Sequence, residues 1–215
     1  MSRPLRCDRL SGLLVAGLML VGTQQVFDAA LIKSKAELAR VLIDRAWTLS
    51  MAGDQVVKPW PWADTWPVAR LSIPDRKVDL PVLYGAQGNA LAFGPGFEAA
   101  SAQPGERGLT VIAGHRDTHF AFIGELSIND QLSLQGRNGR WLHYRVSSLE
   151  VVDSGTALPP ATDSRDGLVL VTCYPLDAIR PGGSLRYLAF ATPDPDVGDP
   201  PLVQPLIQPT RSYRL

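Results

Sequence analysis

A thiol, an imidazole and a guanidinium each stand in or at the end of an apolar, strand-like run, and together they are able to carry acyl transfer. Cys173 ends the run Gly167-Leu168-Val169-Leu170-Val171-Thr172. His115 ends Leu109-Thr110-Val111-Ile112-Ala113-Gly114, and Arg186 lies within Ser184 to Ala191. Cys173 is the candidate nucleophile, because a thiolate attacks a carbonyl far better than a thiol does. His115 would exchange protons with that nucleophile and with a leaving amine. Arg186 would stabilise negative charge on the carbonyl oxygen or hold the substrate, tasks that suit a planar, permanently charged fork. Thr172 is a candidate for positioning substrate, against the plain reading of a β-branched strand residue.

Each assignment has a rival. His119 shares the segment Ala113-Gly114-His115-Arg116-Asp117-Thr118-His119 and is a candidate for lining the site. Asp117 is a candidate for orienting an imidazole, whereas His143, in mid-strand, reads as structural. Gly114 permits a close approach of backbone or substrate beside His115. Arg180, in the loop Leu176 to Gly183, competes with Arg186. Strand placement favours Arg186, since Pro181-Gly182-Gly183 is expected to leave the Arg180 loop free to move.

The cysteine count bears on the thiol's role. The chain has two cysteines, and Cys7 sits among Arg3, Arg6 and Arg9 just before the apolar run Leu10 to Val21. That layout is a basic region followed by a signal-like apolar region. A spanning helix needs about 20 residues, and Gly22 to Phe27 extend the run toward that length. Residues 1–27 are therefore expected to form an uncleaved signal anchor with the N-terminus in the cytoplasm. Cleavage near Ala29-Ala30 is the alternative. With the remainder exported, Cys173 would have no disulfide partner, although exported domains normally pair their cysteines. A lone exported thiol is open to oxidation and needs a reason to be there; an inert core cysteine is the competing reading.

The elements that must position these groups are mostly strands. Asp28 to Ala52 reads as helix, with Leu31, Leu38, Leu42 and Ile43 near helical spacing and Gly53 as its stop. Lys58 to Pro67 carries prolines that forbid helix, and Trp60, Trp62 and Trp66 are expected to pin this strap to the domain. Together residues 28–66 form a helix and lead-in. Strand-like segments follow at Val68–Ile73, Val78–Leu83, Gly108–Gly114, Gln131–Leu134, Trp141–Val152, Gly167–Thr172 and Leu185–Ala191. Pro74-Asp75 and Gly136-Arg137-Asn138-Gly139 are turns, Gly94-Pro95-Gly96 is a loop, and Phe120–Leu126 is a short helical turn. The pattern is all-β and predicts a closed barrel or a sandwich over residues 67–192. Residues 193–215, rich in proline and aspartate, read as a largely disordered tail, with docking through Leu202 and Leu206 as the alternative.

With 215 residues, 21 basic and 21 acidic, the chain has a formal net charge of zero. It has no basic stripe, so nucleic acid is not an expected partner. His115 and His119 are four apart, without the Glu of the helical zinc-protease motif. No metal or other cofactor is expected.

Ala113-Gly114-His115-Arg116-Asp117-Thr118-His119-Phe120, Leu170-Val171-Thr172-Cys173-Tyr174-Pro175 and Pro181-Gly182-Gly183-Ser184-Leu185-Arg186-Tyr187 resemble a sortase, with the arginine thirteen positions beyond the cysteine. They are similar to the subgroup found in Gram-negative bacteria. The resemblance covers Val68 to about Ala191. It implies an eight-stranded β-barrel, a membrane-anchored cysteine transpeptidase and a Cys-His-Arg site at Cys173, His115 and Arg186. It also implies a protein substrate with an LPxTG-like sorting signal near its C-terminus, cleaved between Thr and Gly through a thioester that an amine resolves. The expected place of action is the periplasmic side of the inner membrane. Two other readings compete. An L,D-transpeptidase would have a Ser-His-Gly-Cys-type motif, but Leu-Val-Thr precedes Cys173. A non-catalytic periplasmic binding barrel would hold an inert thiol.

Overall fold

The structure, a computed structural model, describes residues 5–53, 55–155, 166–178, 180 and 182–194, with side chains from residue 11 onward. Alternation of apolar and polar residues drives the chain into strands that bury one face, and eight of them close into a barrel. They are β1 (Pro67–Ile73), β2 (Val78–Tyr84), β3 (Gly96–Phe97), β4 (Leu109–Ala113), β5 (Gln131–Gly136), β6 (Trp141–Asp153), β7 (Gly167–Cys173) and β8 (Leu185–Pro193). Their order around the barrel is β1-β2-β3-β4-β7-β8-β6-β5. The pairs β4–β7 and β2–β3 are parallel; the others are antiparallel. Closure removes the exposed edges that an open sheet would present.

Inward-facing Leu71, Val82, Phe97, Ile112, Leu132, Leu134, Leu168, Leu170 and Ala189 fill the core. A smaller apolar cluster lies on the opposite face of the β4–β7–β8 wall: Leu109, Val169, Leu188 and Phe190, with Val111, Val152 and Val171 against them. That wall is apolar on both faces, which explains why its strands read as continuous apolar runs rather than alternating ones.

Helix α1 (Leu5–Gly53) is unbroken for 49 residues, roughly 70 Å at 1.5 Å per residue. From Ser11 onward it is long and apolar enough to cross a membrane, and its apolar window is not buried against the protein. Its C-terminal part packs on the barrel. The face that docks is Ala39, Ile43, Ala46, Trp47 and Ser50, at helical spacing. Leu31 and Leu38, which share the helical spacing with Ile43, are exposed. The small Ala39 and Ala46 allow a close approach, so the docking stripe is less apolar than the bulky residues beside it. Arg70 of β1 ties the helix to the sheet through Asp44 and Asp79.

The strap after the helix is held by two of its tryptophans. Trp60 meets Phe93 edge-on at 5.2 Å, and Trp66 stacks on Tyr84 at 4.3 Å. Trp62 departs from expectation: it is 83% exposed. Two elements were not anticipated. Helix α2 (Asn89–Phe93) is five residues long, too short for a periodic signal, and β3 is two residues long and begins with a glycine of the expected loop. The tail from residue 195, with Leu202 and Leu206, lies outside the described residues. Asp194 before it is fixed by Arg145 and by a bond from its N–H to the His143 carbonyl.

The docking face predicts unequal costs along one helix. Ile43→Ala, at a site 1% exposed, should destabilise the folded chain by about 2–5 kcal/mol. Leu38→Ala, at 59% exposure, should fall within about 0.5 kcal/mol of wild type. Urea unfolding of both variants in detergent checks this; equal losses would mean that the helix docks on another face.

Candidate active site

Strand parity decides which side chains meet. On β7, Leu168, Leu170 and Thr172 face the core, so Val169, Val171 and Cys173 face outward. On β8, Ala189 and Ala191 face the core; Leu188 and Phe190 face outward, and Arg186 shares their parity. Cys173 and Arg186 are direct register partners on this antiparallel pair. On β4, Ala113 is the partner of Val171. The pairing of β4 with β7 ends at Ala113, and His115 begins the turn two residues beyond it, past the Gly114 N–H bond to Val171. The three candidate groups thus lie at adjacent ends of three neighbouring strands.

Several local bonds fix those ends. The Gly114 N–H donates to Val171 O at 3.0 Å, and Thr172 Oγ1 donates to Gly114 O at 2.7 Å. Thr172 is 2% exposed, so its hydroxyl serves as a tie between β4 and β7. The turn after β4 closes over the His115 carbonyl, which accepts from Thr118 N and Phe120 N. Gly114 is required there for space rather than for backbone freedom: a Cβ would lie 2.7 Å from the Phe120 ring, and Phe120 is fully buried. Phe120 in turn precedes the short helix η2 (Ala121–Glu125), whose Ile123 is in the core.

His115 is exposed and Cys173 half-buried. Cys173 is a free thiol. Cys7 lies outside the described side chains. Arg186 Nη1 donates to the carbonyls of Gly183 and Leu185 at 2.9 and 2.8 Å, which steadies the guanidinium at the strand's start. The charge of Arg186 also helps hold the exposed Asp153 below the usual carboxylate range, after the larger effects of bonds from Gly155 N–H and Ser184.

His119 occupies a different environment. Burial holds its pKa below the ordinary imidazole value; a bond between its ring and the Ala92 backbone opposes this, and the nearby charge of His115 adds to the lowering. The two imidazoles are therefore close enough to sense each other, and His119 links the β4–η2 turn to α2. His143 sits far from this face, its Nδ1 3.0 Å from Ser133 Oγ on the neighbouring strand. Asp117 is largely exposed, and its Oδ1 accepts from Arg116 at 3.3 Å.

Arg116 was missed by sequence reasoning. It is 7% exposed and its guanidinium donates to the carbonyls of Pro175 at 2.8 Å, Ala178 at 2.6 Å and Arg180 at 3.1 Å. The loop after Cys173 is thus held at three carbonyls, those of Pro175, Ala178 and Arg180, contacts that the expectation of a freely moving Arg180 loop did not include. An arginine beside a candidate histidine is weak evidence in a sequence, because most arginines are surface charges. Tyr174 and Tyr187 stack at 6.3 Å, next to Cys173 and Arg186 respectively, and burial pushes the Tyr187 phenol up.

The chain and its fold have counterparts among known proteins. Residues 71–194 match the Sortase domain family. Sortase D of Bacillus subtilis (strain 168) is 34% identical over 121 residues, covering 56% of this chain; the chain spans 60% of that relative's length. The structure of Sortase A from Corynebacterium diphtheriae is similar at a TM-score of 0.55 and 26% identity, covering 78% of this chain and 87% of that one. A Clostridium perfringens Sortase D5 transpeptidase shares the fold at a TM-score of 0.60 and 17% identity, covering 74% of this chain and 99% of that one.

The burial of His119 has a measurable consequence. Its folded-state pKa is lowered, so the unfolded chain binds the proton more readily. Stability should then be unaffected by this group well above about pH 6.5 and fall as pH drops below that value, toward the folded-state pKa. His119→Gln should flatten this part of the curve. Urea midpoints from pH 7.5 to 5 test it, and an unchanged slope would assign the pH dependence elsewhere.

Proposed function

The chain belongs to the sortase family, and from that premise we propose that it is a membrane-anchored cysteine transpeptidase acting on a protein sorting signal. What supports this reading is that Cys173 and Arg186 are register partners on β7 and β8, and that β4, which His115 follows by two residues, pairs with β7 beside them. The half-buried Val111 and Val171 next to these strand ends leave apolar surface for a peptide.

In this mechanism the Cys173 thiolate attacks the carbonyl of the threonine in an LPxTG-like signal. Arg186 stabilises the oxyanion, its fork already steadied by backbone carbonyls. Protonated His115 gives its proton to the leaving amine of glycine, and a thioester remains on Cys173. Neutral His115 then takes a proton from an incoming amine, which attacks the thioester and expels the Cys173 thiolate, restoring the thiolate and protonated imidazole of the start. His119 and Thr172 support the site from behind: one joins the turn to α2, the other ties β7 to β4.

Helix α1 anchors the enzyme, with its apolar stretch in the inner membrane and the barrel in the periplasm. Its exposed apolar residues, among them Leu13, Leu14, Leu18, Met19 and Phe27, support that reading. The relatives named above come from Gram-positive bacteria, so they give the Gram-negative subgroup assignment no support.

Cys173→Ala should abolish the acyl adduct seen by mass spectrometry with an LPxTG-like peptide while leaving circular dichroism unchanged. An adduct on any other residue of that variant would sink the assignment. Arg186→Lys keeps the charge but loses the fork, and should slow thioester formation at saturating peptide by about 10²–10³. His115→Ala should lose nearly all acylation and His119→Ala much less. If His119→Ala is equally damaging, the base is wrongly assigned.

A further inference from the structure

We propose that Arg116 is a positioning residue that sets the geometry of the Cys-His-Arg site by clamping the loop between Cys173 and Arg186. This rests on the transpeptidase reading above for the identity of the reaction, though not for the clamp itself.

Arg116 lies immediately after His115 in the chain. The first carbonyl it binds, Pro175 O, lies two residues after Cys173, and the other two, of Ala178 and Arg180, lie further along the same loop. One guanidinium therefore fastens the exit of β4 to the exit of β7. The loop then returns to Gly183, whose carbonyl accepts from Arg186 Nη1. Arg116 holds the first half of this connection and Arg186 the second. Displacing the first half would move Gly183, and with it the support of the proposed oxyanion fork.

The energetics fit this role. A charge this buried is costly unless its donors are satisfied. Asp117, its acidic neighbour, is 71% exposed and so offers a screened partner. The charge is met mainly by carbonyl dipoles, and those come from one loop. Charge-assisted bonds are stronger and more directional than neutral ones, and a fork meets three carbonyls in a fixed pattern that an ammonium does not reproduce. A loop with glycines at 182 and 183, both at positive φ, would otherwise be free to rearrange.

The test uses the full chain in detergent with Arg116→Gln and Arg116→Lys. Two readouts need no substrate: hydrogen exchange of the amides in 176–178 and 182–184, and the second-order rate of Cys173 alkylation by iodoacetamide at pH 7.5. The clamp predicts exchange at least about tenfold faster in that loop, with the opposite side of the barrel unchanged, and slower alkylation. A third readout is single-turnover thioester formation with an LPxTG-like peptide. There the rate at saturation should fall by about 10- to 100-fold, with half-saturation little changed. Lys should recover only part of the loss. If Gln prevents folding, the Lys variant, which keeps the buried charge, carries the test alone. Loop exchange and alkylation at wild-type levels in a folded variant would overturn the clamp, whatever its melting temperature. Failure of the wild-type enzyme to form any thioester would instead count against the transpeptidase reading and leave the first two readouts decisive for Arg116.

Discussion

The register of β7 between β4 and β8 is the constraint on which the site depends. Side chains alternate along a strand, so a slip of one residue on β7 would turn Cys173 into the core and Thr172 out to solvent. Contrast between the two faces does little to prevent the slip. Leu168 and Leu170 fill the barrel, and Val169 and Val171 join the outer cluster. Both faces are apolar, so burial alone specifies the register weakly here. The polar end supplies the missing specificity. Thr172 buries a hydroxyl on the core side and has a partner only with Gly114 O in reach. A one-residue slip would forfeit that bond, and a two-residue slip, which keeps Thr172 facing the core, would leave the hydroxyl desolvated without it, at a cost of about 1–3 kcal/mol.

A second constraint follows from the first. The strand that ends in His115 must turn at once, because Phe120 returns to the core only six residues after Gly114. The turn is tight enough that the His115 carbonyl accepts two N–H groups and Gly114 touches the Phe120 ring. Between these fixed points the side chains alternate in role: His115 outward, Arg116 buried under the neighbouring loop, Asp117 and Thr118 in solvent, His119 against α2. One short turn thus contacts three separate parts of the fold, which is how a group on a strand end acquires a fixed orientation without being buried itself.

The parts legible in the sequence are those where physics is local. The strand runs, the Gly136–Gly139 turn and the stop at Gly53 each follow from composition within a few residues; their number left a barrel or a sandwich, and the resemblance favoured the barrel. Cys173, His115 and Arg186 stood out as candidates because each lies on or ends such a run. The misses share a different character. Arg116 looks like any surface arginine until Pro175, Ala178 and Arg180 present their carbonyls to it, and those contacts span 59 to 64 residues of chain. The docking face of α1 was not legible because Leu31 and Leu38 are bulkier than Ala39 and Ala46, and the sequence does not say that close approach outranks bulk. Trp62 was misread because a proline-rich strap has no periodicity from which to assign a buried side.

The join between helix and barrel bears on how such a site would meet its substrate. α1 is continuous from its exposed apolar stretch through the docked face that begins at Ala39, with neither proline nor a described break between them. The docked part is held by Ile43 against Leu83 and Ala90, by Trp60 beside them, and by Asp44 on Arg70. A helix fixed to the barrel along three turns transmits its direction to the domain, whereas a flexible linker would not. α2, which supplies Ala90 to that contact, also supplies Ala92 to His119. Helix α1 and the turn that follows β4 therefore both rest on the same five-residue helix, two residues apart. With the span in a bilayer, the height and tilt of the Cys173 face above the membrane would be set by this stack of contacts rather than left to diffusion, and a sorting signal held near the same membrane would meet the face at a defined level.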